Sequence, residues 1–362
     1  VGKHHSLKDV SNRGISRTDL RNMALAMAAL TVFVIAMIAS YSGAFAKPTL
    51  HHMNVAVAGP QQVVDAIRGQ DTLAVTQVDD ADAARGQVYD RKTDAAFVVE
   101  PTGEMKIYVA GGGGRSVANA AETVGRGIAA KAGLVPAVED VAPTSPADPQ
   151  GTVEFYAVIF LSIGATVGAT LFGRMMGSVR RASTLALRTL SLAAYSALLA
   201  GGVTVYVDGV LGALTSHTWQ IFGALWLYAM AVSGAVTGVA AAFGSIASMG
   251  VTMFLVIVGN AAAAGPVGKP LLSGFYTTLN AIVPQGSGVA LLRSVEYFGG
   301  NGALTPIVTL VAWGAAGCAL AMIAVLAPKA WTSYRASHDR YRVRRAGRVR
   351  AVLRPGVLSP AD

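Results

Sequence analysis

Six long stretches of the chain are apolar and free of formal charge, and one segment between the first two alternates polar and apolar positions over only five to nine residues. A helix needs roughly 20 apolar residues to cross about 30 Å of hydrocarbon. By that measure the spans are Met23–Ala46, about Phe155–Phe172, about Leu190–Val207, about Trp219–Ala241, about Met249–Ala264 and Pro306–Ala327. The fourth and fifth share the interval from Asp208 to Lys269, which carries no formal charge between its ends, with AFGSIAS as their turn. The first run is too long for the roughly 7–15 apolar residues of a signal peptide. SGAFAKP still resembles a small-residue cleavage site, so removal of the first span stays open.

The alternating segment reads as short strands and helices. MNVAVA is a strand and QQVVDAIRG a helix with Val63, Val64 and Ile67 on one side. TLAVTQV, AAFVVE and MKIYVA are further strands, DADAARGQVYD a second helix, and about Val117–Gly133 a third. Leu134–Gly151, with four prolines, reads as a tether back to the membrane.

Composition agrees with the pattern. The 362 residues are 53% hydrophobic and 14% charged, against about 25% charged in soluble domains. The fold class expected is a polytopic α-helical membrane protein, with six transmembrane helices and a small extracytoplasmic α/β domain between helices 1 and 2. The segments are 1–22, a cytoplasmic N-terminus; 23–46, helix 1; 47–151, the α/β domain and its tether; 152–327, a five-helix membrane domain; and 328–362, a basic cytoplasmic tail.

The net charge of +9 bears mainly on orientation. Arg and Lys accumulate on the cytoplasmic side of a membrane. The N-terminal segment, the loop with Arg174, Arg180, Arg181 and Arg188, and the Arg-rich tail all fall on one side of a six-span chain. Both termini are therefore expected in the cytoplasm of a plasma-membrane protein. Anionic lipid headgroups account for the tail, so no nucleic-acid partner is inferred. The single cysteine, Cys318, excludes an intrachain disulfide.

Candidate chemistry is sparse. GPVGK places Gly268 and Lys269 together, yet Ala263 stands where a phosphate-binding loop needs its first glycine and Pro270 where it needs Ser or Thr. GGGGRS reads as a flexible loop. His51 and His52 read as a juxtamembrane pair, and Asp79, Asp80 and Asp82 as an acidic helix start. No hydrolase, redox or nucleotide motif occurs, so neither an enzyme nor a cofactor is expected. Near-absence of ionisable residues within the spans, with Glu154 at the edge of the second, argues against an ion-coupled carrier. The small-residue runs GATVGATLFG and GAVTGVAAAFG suit close helix packing, against a neighbour or a second copy.

Residues 265–305 are too apolar for a solvated loop. They read as two short helices re-entering the membrane, split by Pro284 to Gly288. In GSGVALLRSVEYF, Leu291, Leu292, Val295 and Phe298 share one helical face; Arg293 and Glu296 lie opposite, three apart, at a spacing that allows them to pair.

GNAAAAG after the fifth span, VPQGSGVALLRSVEYFGGNG before the sixth, and AAFVVEP in the α/β domain carry a resemblance. With the layout of one span, a large domain and five spans, the chain resembles the ABC type-2 exporter permeases, in an actinobacterial-type branch related to the phage-infection-protein (Pip) family. The resemblance implies a permease subunit that forms a homo- or heterodimer in membrane lipid and works with a separate cytoplasmic ATPase. It implies export of a lipophilic or envelope-related compound, with Lys269, Pro284, Arg293 and Glu296 at an outer gate or substrate contact and Arg174, Arg180 and Arg181 on the ATPase-facing loop. That family's Glu-containing amphipathic segment has no counterpart in RMMGSVRRASTLALR, which is basic throughout. The alternative is a non-transporting envelope or receptor protein whose external domain binds a partner.

Overall fold

A backbone placed in hydrocarbon must satisfy its own N–H and C=O groups, and helices do so within one segment. The computed structural model, which describes residues 16–177, 179 and 181–326, folds all six apolar stretches as helices long and apolar enough to cross a membrane. These are α1 (Arg17–Phe45), α5 (Val153–Met176), α6 (Ala182–Thr204, continued as a π turn to Val210), α7 (Thr218–Phe243), α8 (Ser245–Phe254, continued by a π turn and the short α9, Asn260–Ala262) and α12 (Leu304–Leu326). Lys3, Lys8, Arg13 and the basic tail 328–362 lie outside the described residues.

Local signals account for the helix ends. Ser16 caps α1: its hydroxyl accepts from the Asp19 N–H at 3.0 Å, while the Asp19 carboxylate accepts from the Ser16 N–H at 3.1 Å. Such a box supplies about 1 kcal/mol to a helix start. The turn between α7 and α8 is tighter than AFGSIAS suggested, since Gly244 alone, at φ 91°, reverses the chain.

Helix α7 is the hub of the bundle, packed by α5, α6, α12 and a shorter helix, α11 (Pro284–Tyr297). Its GAVTG run is used inside the chain. A Cβ on Gly238 would lie 2.2 Å from the Gly317 carbonyl oxygen of α12, and one on Gly317 would lie 2.3 Å from that of Gly234. The other small-residue run, on α5, is likewise covered by the Leu199, Tyr195 and Arg188 side chains of α6. Neither face is therefore free for a second copy. By contrast α1 is exposed along most of its length, from Leu20 to Ile38, and joins the rest only near its end, where the Ser40 and Tyr276 hydroxyls meet at 3.0 Å.

Between α1 and α5 lies a five-stranded sheet, ordered β2-β1-β3-β4-β5. Its elements are β1 (Met53–Ala58), α2 (Gln61–Arg68), β2 (Leu73–Gln77), α3 (Ala81–Tyr89), β3 (Ala95–Val99), β4 (Glu104–Val109), α4 (Arg115–Ala132) and β5 (Val135–Asp140). Pairing is parallel except for β3 with β4, which the short Pro101–Gly103 turn makes antiparallel. β5 corrects the tether reading. Val135–Asp140 pairs with β4, and Pro136 is tolerated because the strand lies at the sheet edge. Asp80 caps α3 by accepting from the Ala83 N–H at 2.8 Å, so the acidic run is a helix start.

Both sheet faces are covered. Val55, Val57, Phe97 and Ile107 face α2 and α4, in a core that continues into Ala261–Leu272 beyond α8. Ala56, Val98 and Tyr108 pack with Phe298, which follows α11. The sheet domain is thus packed directly onto the segment between α8 and α12.

Candidate functional site

That segment contains a helical pair, α10 (Gly274–Ile282) and α11 (Pro284–Tyr297). The break falls at Val283, and Pro284 takes the first position of α11, where its missing N–H costs nothing. Pro284–Gly288 therefore opens the second helix and does not separate the two. Gln285 reaches from here to the π turn of α8, donating to the Leu255 carbonyl at 2.9 Å.

The two-faced reading of α11 is also corrected: Leu291, Leu292, Arg293, Ser294 and Glu296 are all buried. Arg293 is 4% exposed and donates to three carbonyls from three distant segments. Nη1 reaches Gly113 at 3.1 Å, and Nη2 reaches Gly151 at 3.1 Å and Gly265 at 3.0 Å. A guanidinium can do this because its donors diverge in a fixed plane. The close approach of Gly265 requires its missing side chain, since a Cβ there would lie 2.1 Å from Phe155.

Arg293 and Glu296 form no ion pair. Glu296 Oε1 instead accepts from the Thr215 and Ser216 N–H groups at 3.0 and 3.1 Å and from the Ser216 hydroxyl at 2.8 Å, pinning the loop before α7. GGGGRS, expected as a flexible loop, is a buried 3-10 turn at Gly111–Gly113, wedged against Tyr297 and held by Arg293.

A reciprocal bond crosses from the sheet domain. Arg91, at φ 59° just after α3, donates through Nη1 to the Ala290 carbonyl at 2.8 Å and the Ser294 hydroxyl at 2.6 Å. Its guanidinium also lies 4.9 Å from the Phe298 ring centre, a cation–π contact. Further ties run from the Ser116 hydroxyl to the Pro266 carbonyl at 2.9 Å and from the His51 N–H to that of Pro270 at 2.9 Å.

Between the two arginines the structure leaves a cavity of ≈ 170 Å³. Arg91, Arg293 and Lys269 line it with Thr93 and Asp94, beside apolar Val117, Val289 and Phe298. Three cations face one carboxylate, and none of the three is in a salt bridge among the described residues. Burial, then the neighbouring Arg293 charge, pushes Arg91 down to about 10. Burial also holds the Asp94 carboxyl above the usual range, offset in part by the Asn54 N–H and by Arg91 and Lys269. The Thr93 hydroxyl is buried and has no partner among the described residues, and neither has Arg293 Nε.

Beneath Arg293, Glu154 in the first turn of α5 is fully enclosed. The Arg293 guanidinium and Tyr297 hydroxyl are its neighbours, and among the described residues neither Glu154 oxygen has a partner of full hydrogen-bond geometry.

The remaining site expectations lie elsewhere. Arg174 is exposed at the far end of α5, roughly 30 Å from Glu154 at about 1.5 Å per residue, Arg181 is exposed just before α6, and Arg180 lies outside the described residues. Arg188, counted with them as a flanking charge, is 3% exposed and donates to the Ala169 carbonyl at 3.2 Å inside the α5–α6 contact. Lys269 and Arg293 line one cavity, Pro284 starts α11 outside that lining, and Glu296 turns to the loop before α7. Arg91, Thr93 and Asp94 were not foreseen. RKTD reads as a solvated turn after a helix, and its partners lie about 200 positions along the chain. Compared with known proteins, the chain matches no family model, and no curated protein or solved structure is significantly similar to it.

Proposed function

We propose that this chain is the membrane-spanning subunit of an ATP-driven exporter for a lipophilic or envelope-related compound, with the ATPase supplied by another chain. In this reading the protein lies in the plasma membrane with both termini cytoplasmic, and the sheet domain is extracytoplasmic. The helical pair α10–α11 is the outer gate of a cavity between two permease copies.

The observation that supports it is the grip of Arg293 on three segments at one end of α5, with exposed Arg174 and Arg181 at the other. A partner acting on the basic end of α5 would move the Gly151 carbonyl and Glu154, and with them α11 and the sheet domain. The resemblance of GNAAAAG and VPQGSGVALLRSVEYFGGNG to the type-2 permeases points the same way. The exposed apolar length of α1 is one surface open to lipid or a second copy, beside exposed apolar residues on α6 and α12 such as Leu190, Leu198, Val311 and Met322.

Purification in mild detergent tests this reading. An ATPase should co-purify, and added nucleotide should change the protease cleavage pattern of the sheet domain. If no ATPase is recovered and nucleotide leaves the pattern unaltered, the exporter reading fails.

A further inference from the structure

We propose that the cavity between the sheet domain and α11 is a binding site for a phosphate group, carried by an amphipathic molecule or free in solution, held by Arg91, Lys269 and Thr93. As the contact for a transported amphiphile it rests on the exporter reading; as a binding site it stands on the geometry alone.

Charge is the first argument. Arg91, Arg293 and Lys269 line the cavity with Asp94, and Glu154 lies beneath Arg293, so cations outnumber carboxylates there; among the described residues none of the three cations is in a salt bridge. Buried charges ordinarily meet a counter-charge. A phosphate group placed between Arg91 and Lys269 supplies one.

Donor geometry is the second. The Thr93 hydroxyl is 7% exposed and without a partner among the described residues, and Arg293 Nε is likewise a buried donor without one. Lys269 is exposed at the rim, and among the described residues its ammonium makes no ion pair. A hydroxyl, an ammonium and guanidinium N–H groups from different walls match a tetrahedral anion with several acceptor oxygens. The ≈ 170 Å³ of space equals roughly five or six waters at about 30 Å³ each, enough for one such group. Apolar Val117, Val289 and Phe298 on the same walls give an attached acyl or alkyl segment a surface to lie against.

The test uses the full-length chain, purified in detergent without ATPase or nucleotide. Binding is measured for inorganic phosphate, dioctanoyl phosphatidic acid and dioctanoylglycerol. Saturable binding of phosphatidic acid with weak binding of inorganic phosphate identifies an amphipathic ligand; equal affinities identify the free ion. Lys269→Gln and Thr93→Val break no bond in the fold, and each should weaken binding roughly tenfold, as loss of one charged hydrogen bond does. Their unliganded melting temperatures should match the parent. The site is overturned if neither phosphate ligand binds saturably, if dioctanoylglycerol binds as well as phosphatidic acid, or if both variants bind like the parent. Since no ATPase is present, the binding site and the exporter reading can fail separately.

Discussion

Arg293 and Glu296 are three positions apart on one helix, the spacing of an ion pair, yet each is committed to backbone groups elsewhere. The buried carbonyls of Gly113, Gly151 and Gly265 and the amides of Thr215 and Ser216 need partners, and a charged side chain is a stronger partner than a neutral one. Arg293→Ala leaves three carbonyls without a donor and should lower stability by about 3–5 kcal/mol. In detergent this appears as a lower melting temperature and faster proteolytic release of the sheet domain. Arg293→Lys should restore little, because one ammonium cannot reproduce the diverging fork; a fully rescued Lys variant would show that charge alone matters. Asp94 carries a second prediction. Its folded pKa is raised by burial, so the folded state binds the proton more tightly. That stability is fully present below the ordinary carboxyl value and is lost as pH rises through the raised one. Asp94→Asn should remove this component, so the parent-minus-variant difference in melting temperature should favour the parent in mild acid and shrink towards neutrality. A difference that does not vary with pH would show that Asp94 does not titrate there.

At the level of elements, the α7–α12 contact depends on two glycine pairs. Gly238→Ala sets a Cβ 2.2 Å from a backbone oxygen that belongs to another helix and cannot rotate away. The helices must separate, at a cost of about 1–3 kcal/mol. Gly250→Ala on α8 meets nothing within 4 Å and should instead stabilise by roughly 0.5–1 kcal/mol through helix propensity. Melting both variants in one detergent checks the pair, and equal shifts would contradict the packing described. The six long helices were legible in the sequence because hydrocarbon length imposes a pattern that no local context overrides. Most strands of the sheet were legible too, as short apolar runs such as MNVAVA and AAFVV bounded by turn residues. β5 was not, since Pro136 and the prolines that follow it mask a strand that survives only at the sheet edge. The break at Val283 was misplaced by five glycine- and proline-rich residues, Pro284–Gly288, that suit a turn but here start a helix. The cavity was half legible: Lys269 and Arg293 stood out as charges in an apolar segment, whereas Arg91, Thr93 and Asp94 looked like any polar turn. Only the docking of the sheet onto α11 turns them into a site.

For the whole molecule, orientation decides which end of α5 meets the cytoplasm, and charge is the physical handle on it. Arg174 and Arg181 are exposed at one end, whereas the sheet domain and Arg293 occupy the other. Lys and Arg concentrate in cytoplasmic flanks, so the sheet domain is expected outside. Burial of Arg188 between α5 and α6 removes it from the flanking count but leaves the sign of the bias unchanged. Cys318 is the sole cysteine and lies on the apolar surface of α12, so a Cys318→Ala background permits single-cysteine mapping. Gln62→Cys on exposed α2 should react with a membrane-impermeant maleimide in intact cells, and Arg174→Cys only after the cells are opened. The reverse pattern would put the arginine-lined cavity on the cytoplasmic side. α11 could then not serve as an outer gate, and a partner ATPase would have to meet the sheet domain instead of the basic end of α5. Labelling of both positions in intact cells would mean that α5 does not cross the membrane at all, against its 24 residues of near-continuous apolar sequence.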